Sequence, residues 1–167
     1  DLGTDGDVDI LASLQSTETL EMFENDGSGS FSVCGAYGLA GHAGMAADLD
    51  HDSYLDVFAA DYGLPTGVAV RSGQGGCTFG PLDFYETSGG HWLYSTDLNS
   101  DGYFDIVTAN FNKAQSVSVL LNSSGSGFAP AADYDVGDQP LYIWTGDIDK
   151  DWDMDVCITG DYYYTPP

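Results

Sequence analysis

The sequence predicts an all-β protein built from a repeated unit of short antiparallel strands. An aspartate-rich stretch of nine residues occurs four times, and successive copies start 47, 49 and 50 residues apart. Each copy is followed by a short apolar, β-branched run, which is typical of a buried strand. No segment of helical length shows apolar residues with a 3.6-residue period. A fixed period of this size indicates a repeat architecture.

Each repeat contains the same predicted strands. The first strand enters the aspartate-rich stretch, at residues 44–47, 92–96 and 142–146. The second strand leaves that stretch, and the third alternates apolar and polar residues, at 19–24, 68–71 and 117–121. A glycine-rich turn and an aromatic residue precede the fourth strand; the aromatic residues are Phe31, Phe79 and Phe128. Four short antiparallel strands per period of about 40–50 residues predict the blades of a β-propeller.

The repeats form one predicted β-propeller segment over residues 1–167. They span approximately 1–41, 42–90, 91–140 and 141–167, and they supply three, four, four and two strands. Propellers use about 4–8 blades of four strands. We therefore expect these three blades plus a half-blade to belong to a larger propeller or to an assembly, with self-association through the open blade edges as one possibility.

The four aspartate-rich stretches, named aspartate loops one to four, place oxygen donors at positions 1, 3, 5 and 9. Alternate residues of a tight loop can point to one centre, and Ca²⁺ takes about 6–8 oxygen ligands. Position 7 would contribute its backbone carbonyl. The expected ligands are Asp1, Asp5, Asp7 and Asp9; Asp48, Asp50, Asp52, Tyr54 and Asp56; Asp97, Asn99, Asp101, Tyr103 and Asp105; and Asp147, Asp149, Asp151, Asp153 and Asp155.

The four predicted calcium sites are not equivalent. Gly3 removes a ligand from loop one, so we expect that site to be the weakest and loop three to be the most regular. Ser53 and Trp152 stand where Gly6 and Gly102 favour a left-handed turn. An EF-hand would need a glutamate at position 12, which no copy has. The alternative is a set of solvated acidic turns, since Asp and Gly favour turns.

Together these residues resemble the FG-GAP/VCBS repeat family, which includes the head of the integrin α chain and many secreted proteins. The resemblance implies a β-propeller with calcium in the loop that joins the first two strands of each blade. It also implies the ligand set given above for loop two. The matching residues are Ser118-Val119-Leu120-Leu121-Asn122, Gly127-Phe128, Tyr134, Gly137, Pro140 and Asp147-Ile148-Asp149-Lys150-Asp151.

Charge and hydropathy argue against two classes of partner. The chain has 27 acidic residues against 3 Lys plus Arg, for a net charge of −24. Nucleic acids and anionic membranes are bound mainly through Lys and Arg, so neither is an expected partner. No apolar run approaches the roughly 20 residues that a membrane-spanning helix needs. Because the chain starts inside a metal loop, we expect it to be a mature or truncated piece of a larger protein.

The three cysteines and one sequon give further expectations. Cys157 lies in a predicted core strand and is expected to be a buried thiol. Cys34 and Cys77 occupy similar zones of successive repeats, and a disulfide between them is left open. Asn122 begins the sequon Asn122-Ser123-Ser124 in a glycine- and serine-rich turn, where glycosylation would be expected in a secreted protein.

The pattern favours an extracellular or cell-surface module that binds a glycan or a protein ligand, with structural calcium. Polar and aromatic segments after the second strands are the candidate contacts, namely those around Tyr62, Phe111 and Tyr162. His42 and His91 occupy equivalent positions and could line the central channel. A self-assembling fibre or matrix subunit is the alternative. A polysaccharide-acting enzyme is less favoured, because the sequence has no nucleophile–base arrangement or phosphate loop.

Overall fold

The computed structural model describes residues 1–38, 41, 43–61, 65–111, 115–137 and 139–160. Within these ranges the chain forms thirteen strands in four antiparallel sheets, and it contains no helix. Accordingly, no helix in the described part of the chain has the length and apolar character needed to cross a membrane. The predicted all-β class is confirmed.

The four sheets follow one another along the chain and are named blades one to four. Each is a simple meander whose strand order is the sequence order. Blades one to four have three, four, four and two strands, as the repeat pattern predicted. The strands are β1 (Ile10–Leu14), β2 (Thr19–Asn25) and β3 (Phe31–Gly38); β4 (Ala43–Ala47), β5 (Asp56–Asp61), β6 (Gly67–Arg71) and β7 (Asp83–Glu86); β8 (Trp92–Thr96), β9 (Asp105–Asn110), β10 (Ser116–Leu120) and β11 (Ala132–Asp135); and β12 (Pro140–Gly146) and β13 (Asp155–Gly160).

The apolar runs after aspartate loops two and three become strands that are buried on both faces. Successive side chains of a strand point to opposite faces of its sheet. In β5, Val57 and Ala59 therefore pack in the cluster shared with blade one, while Phe58 and Ala60 pack in the cluster shared with blade three. A continuous apolar run, rather than a strict alternation, is what such a doubly covered strand requires.

Among the described residues, three hydrophobic clusters hold the blades face to face. Leu20 and Met22 of blade one meet residues of blade two. A second cluster joins blades two and three and includes Ile106, and a third joins blades three and four through Ile143. Strand β4 contacts both β1 and β8, and β8 contacts β12. The blades therefore stack in series, with the first strands of blades two, three and four adjacent to one another.

A disulfide joins blade one to blade two. Cys34 of β3 is bonded to Cys77, which lies in the turn between β6 and β7. The Cys77 backbone N–H also donates to the Leu2 carbonyl at 3.0 Å, and the Tyr37 hydroxyl donates to the Cys77 carbonyl at 3.2 Å. The turn of blade two is thus bound to both ends of blade one.

The prediction that Cys157 is a buried core thiol is wrong. Cys157 is exposed, and it lies on β13 opposite Trp144 of β12, whose side chain is 57% exposed. In blades two and three the residues equivalent to Cys157, Phe58 and Val107, are fully buried. Those residues are covered by the next blade, whereas no described part of the chain covers this face of blade four.

Removing the disulfide should lower the free energy of unfolding by about 2–4 kcal/mol, because the bond closes a loop of 43 residues. The test is chemical denaturation of the double variant Cys34→Ser, Cys77→Ser. Cys157→Ser is the matched control and should change stability by less than about 0.5 kcal/mol, since that thiol is exposed. Equal stability of the double variant and the native chain would contradict this expectation.

Candidate functional site

The aspartate loops lie where each blade turns from its first strand to its second. Loops two, three and four connect β4 to β5, β8 to β9 and β12 to β13, and loop one precedes β1. All four share one backbone conformation, because positions 4 and 6 have positive φ in every copy. These residues are Thr4 (66°), Gly6 (96°), His51 (63°), Ser53 (76°), Ser100 (59°), Gly102 (92°), Lys150 (67°) and Trp152 (78°).

The first aspartate of each loop gathers the loop's backbone amides around it. In loop three, Asp97 accepts hydrogen bonds from the amides of Asp101 at 3.1 Å and Gly102 at 2.8 Å. Asp147 of loop four accepts the equivalent pair, at 3.1 and 3.2 Å. Carboxylate and amide groups at positions 3 and 5 accept similar bonds from residues two positions further on. These bonds wind each loop around the side chains that carry its oxygen donors.

In loops two and three the last aspartate also accepts hydrogen bonds from two backbone amides, which the sequence did not predict. One oxygen of Asp56 accepts the Leu49 amide at 2.7 Å, and the other accepts the Gly73 amide at 2.8 Å. Asp105 does the same with Leu98 at 2.9 Å and Asn122 at 2.8 Å. The carboxylate therefore ties its own loop to the turn after the third strand of the same blade.

Burial of these carboxylates is electrostatically unfavourable. Burial raises the pKa of Asp56 to about 6; the Gly73 and Leu49 amides oppose the shift, and the charges of Asp50 and Asp52 add to it. Burial also raises the pKa of Asp105. At Asp9 the same effect is outweighed by three backbone hydrogen bonds, so the pKa is lowered. A bound cation would offset the repulsion in loops two and three.

The donor set of loop two fits a hard cation. Asp48, Asp50 and Asp56 each offer an oxygen within 4.8 Å of the others. One oxygen of Asp48, Oδ1, is buried and accepts no hydrogen bond from the described residues. Loop four brings Asp147, Asp149 and Asp151 together in the same way. An acceptor that is buried without a donor is costly unless a positive charge or a donor meets it.

Loop three, which the sequence ranked first, is built differently. Its position 3 is Asn99, whose amide donates to Asp101 at 3.0 Å. The ring of Tyr103, to which we assigned only a carbonyl role, stacks on His51 of loop two with centroids 4.3 Å apart. Neighbouring loops therefore touch on one side of the stacked blades. Calcium at loop three stays a prediction.

Asn122 acts as a cross-link between blades two and three. Its side-chain nitrogen donates to the Leu49 carbonyl at 2.8 Å and to the Phe104 carbonyl at 3.0 Å, and its side-chain oxygen accepts the Gly125 amide at 2.8 Å. The residue is 6% exposed. The folded chain holds the nitrogen of the expected glycosylation site away from solvent and uses both of its hydrogens.

A groove of about 550 Å³ lies between the last strand of blade two and the segment before the last strand of blade three. The rings of Tyr85 and Phe128 meet there edge to face, with centroids 5.2 Å apart. The lining residues, which combine aromatic, hydroxyl and carboxylate groups, are Phe84, Tyr85, Glu86, Thr87, Ser88, Leu120, Phe128, Ala129, Pro130, Ala131 and Asp133. The sequence reasoning missed this groove, because it forms between segments of two different blades.

The groove adjoins loop two. A smaller cavity of about 240 Å³ shares Tyr85 and Phe128 with the groove and reaches Asp50 and Asp56. The two aromatic rings therefore lie between loop two and the groove.

The structure describes two of the five candidate ligand residues. His91 and Phe111 are half-buried, and their rings lie 5.1 Å apart. His42, Tyr62 and Tyr162 lie outside the described residues. The candidate role of all five stays a prediction.

Substituting Asn122 with alanine should cost about 1–3 kcal/mol of unfolding free energy, because two backbone carbonyls would lose a buried donor. Thermal or chemical denaturation measures the change. Ser124→Ala is the control, since it removes the sequon and leaves the Asn122 side chain intact. If both variants lost stability equally, the cross-link would not be the cause.

Comparisons with known proteins agree with this architecture. A family model of the FG-GAP-like repeat matches residues 1–59. No curated protein matches the chain. One solved structure has a TM-score of 0.63 and 22% identity, over 93% of this chain and 44% of its own; it is described as the structural basis of specific recognition of non-reducing terminal N-acetylglucosamine by an Agrocybe aegerita lectin.

The likeness to the lectin shows a shared fold, and the present chain spans less than half of the lectin's length. The family match covers the first aspartate loop, the whole of blade one and the second aspartate loop. The resemblance found in the sequence is thereby confirmed: residues 1–59 match the FG-GAP-like repeat.

Proposed function

We propose that this chain is an extracellular, calcium-stabilised β-propeller module that binds glycans. The observation that carries the proposal is the groove between blades two and three, which sets aromatic rings beside hydrogen-bonding groups. The description of the structurally similar lectin, which concerns a terminal sugar, supports a glycan over a protein ligand.

The chemistry of the groove suits a sugar ring. A pyranose has an apolar face of C–H groups and a rim of hydroxyls. Phe84, which is 38% exposed, and Phe128 offer apolar surface, while Glu86 and Asp133 offer acceptors. The volume of about 550 Å³ lies within the range of roughly 300–1,000 Å³ typical of small-ligand sites.

Calcium has a structural role in this proposal. In loop two it would be held by Asp48, Asp50, Asp52, the carbonyl of Tyr54 and Asp56. Bound calcium supplies positive charge where the chain has crowded carboxylates and few cationic side chains. Loop two is connected to the groove by a hydrogen bond that the Asn122 side chain donates to the Leu49 carbonyl. Asn122 belongs to the turn just before Phe128, which lines the groove.

Two features support an extracellular location. The disulfide between Cys34 and Cys77 is of a kind that persists in oxidising compartments. The aspartate loops are largely exposed, and calcium sites of extracellular modules are matched to the high calcium concentration outside cells.

Chelation of calcium should lower the melting temperature of the chain. A ligand that binds only the folded state stabilises it by about 2.7 kcal/mol when its free concentration is 100 times its Kd. Calorimetry with calcium and with EDTA measures the shift. Asp50→Asn should reduce this calcium-dependent shift, whereas Glu18→Gln, an exposed charge in another turn, should leave it unchanged. The same melting temperature with calcium and EDTA would contradict structural calcium.

Glycan binding can be tested by filling the groove. The native chain in calcium should bind oligosaccharides that end in N-acetylglucosamine, as measured by a glycan array and calorimetry. Glu86→Trp should abolish this binding, because the new ring occupies the groove. Asp135→Trp is the matched control: Asp135 pairs with Ser116 as Glu86 pairs with Gly67, but it does not line the groove. A native chain that binds no glycan would overturn the proposed function.

A further inference from the structure

We propose that the groove selects neutral sugars through one carboxylate, Asp133, and that a buried chain of hydroxyl and amide groups holds this carboxylate in place. The inference rests on the proposed function and names the ligand class and the positioning residues of the same groove. Asp133 is the ligand-contacting residue, and the buried groups act through it.

The buried chain runs through blade three towards the groove. The Thr108 hydroxyl donates to the side-chain oxygen of Asn110 at 3.1 Å, and the Asn110 nitrogen donates to the hydroxyls of Ser116 at 2.9 Å and Ser118 at 2.8 Å. Ser118 then donates to Asp133 Oδ1 at 2.5 Å. The first four of these residues are at most 2% exposed, whereas Asp133 is exposed at the groove. The bonds that link Thr108, Asn110, Ser118 and Asp133 all donate towards the carboxylate, so each polarises the next.

Blade two holds the same carboxylate from the opposite side. Ser88, which follows β7, donates its hydroxyl to the other oxygen of Asp133. The Ser88 backbone N–H also donates to the Ser118 hydroxyl oxygen, at 3.4 Å. Each oxygen of a carboxylate has more than one acceptor position, so Asp133 keeps accepting capacity for a ligand after both serines are bound.

The repeat itself does not require this polar chain. In blade three, Ser118 lies between Thr108 of β9 and Asp133 of β11. In blade two the same place is taken by Ala69, which lies between Ala59 of β5 and Phe84 of β7.

The equivalent ladder of blade two is therefore apolar. Ala59 and Ala69 pack in the hydrophobic cluster with Leu20 and Met22. A fold that forms with alanines gains nothing from buried hydroxyls, which cost free energy unless they are fully bonded. The polar ladder thus serves the groove beside it rather than the packing of the blades.

The chemistry of Asp133 defines the ligand class. An ionised carboxylate only accepts hydrogen bonds, so the ligand must donate them through hydroxyl or amide groups. Among the described lining residues there is no Lys or Arg, and Glu86 adds a second carboxylate. With a net charge of −24, the chain also repels anions at longer range. Neutral sugars are accepted under these conditions, and uronic or sialic acids are rejected.

The test compares two immobilised or titrated probes in calcium: a neutral oligosaccharide ending in N-acetylglucosamine and an oligosaccharide of matched size ending in glucuronic acid. Asp133→Asn should weaken binding of the neutral probe about tenfold, since a hydrogen bond to a charged group is lost. The same variant should narrow the preference for the neutral probe over the acidic one. A purely structural role would change both affinities in parallel.

Ser118→Ala and Ser88→Ala test the positioning from each blade and should each weaken neutral binding about threefold to tenfold. Thr96→Ala is the control, because Thr96 is also a buried hydroxyl residue of blade three but neither belongs to the buried chain nor lines the groove. It should leave sugar affinity unchanged even if the melting temperature falls.

The outcomes separate the two proposals. Neutral-sugar binding by the native chain, with unchanged affinity in Asp133→Asn and in both serine variants, overturns this inference and leaves the proposed function standing. An Asp133→Asn chain with unchanged preference between the probes also overturns it. The absence of any glycan binding by the native chain overturns both. If Ser118→Ala fails to fold, Ser88→Ala decides, since that side chain is only half-buried.

Discussion

The hydrogen bonds from two backbone amides to the loop-ending aspartates of blades two and three are the constraint on which the rest of the structure depends. Asp56 and Asp105 each connect the start of their loop to the turn beyond the third strand of the same blade. One side chain thereby sets the distance between two connections at the same end of a blade. The interaction is strong because the acceptor is charged. Burial raises the pKa of both carboxyls, and the hydrogen bonds from the backbone amides oppose that rise. The same loops bring several carboxylates close together, and a bound cation would offset the repulsion between them.

The turns that these aspartates anchor are also the places where blades meet. Asn122 is an example. Its backbone amide donates to Asp105, and its side chain donates to the Leu49 carbonyl in the loop of the neighbouring blade. The Asp105 carboxylate thus connects two segments within blade three, and the Asn122 carboxamide connects blade three to loop two of blade two. Apolar contacts, such as those of Phe58 with blade three, supply most of the burial between blades. The Asn122 side chain adds a hydrogen bond at one defined point of the boundary between blades two and three.

The sequence predicted the parts of the fold that depend on local spacing. Loop position, strand number and strand order follow from a period of about 50 residues and from runs such as that after Asp56, which form within one blade. The prediction that Cys157 is buried was wrong, because the burial of a strand face depends on whether another blade covers it. It also missed the role of Asn122 and the groove at Asp133, since both are contacts between residues of different blades or different segments of the chain. The sequon includes Asn122, and the aspartate repeat includes Asp56 and Asp105. Periodicity, however, carries no information on which residues lie across a blade boundary.

A repeat protein offers an internal reference for separating packing from function. Where equivalent positions in two blades carry the same residue type, the packing of the fold is enough to explain that residue in each blade. Ala69 in blade two and Ser118 in blade three occupy the same place in their sheets, and the sheet forms with either residue. The requirement of the fold therefore does not explain the polar residue. The aspartates that end each loop are of the first kind, since all four copies keep them. The groups around Asp133 are of the second kind, and they occur where the blade boundary also opens into a groove. The proposed recognition chemistry of this chain therefore lies at departures from the repeat rather than at its regular positions.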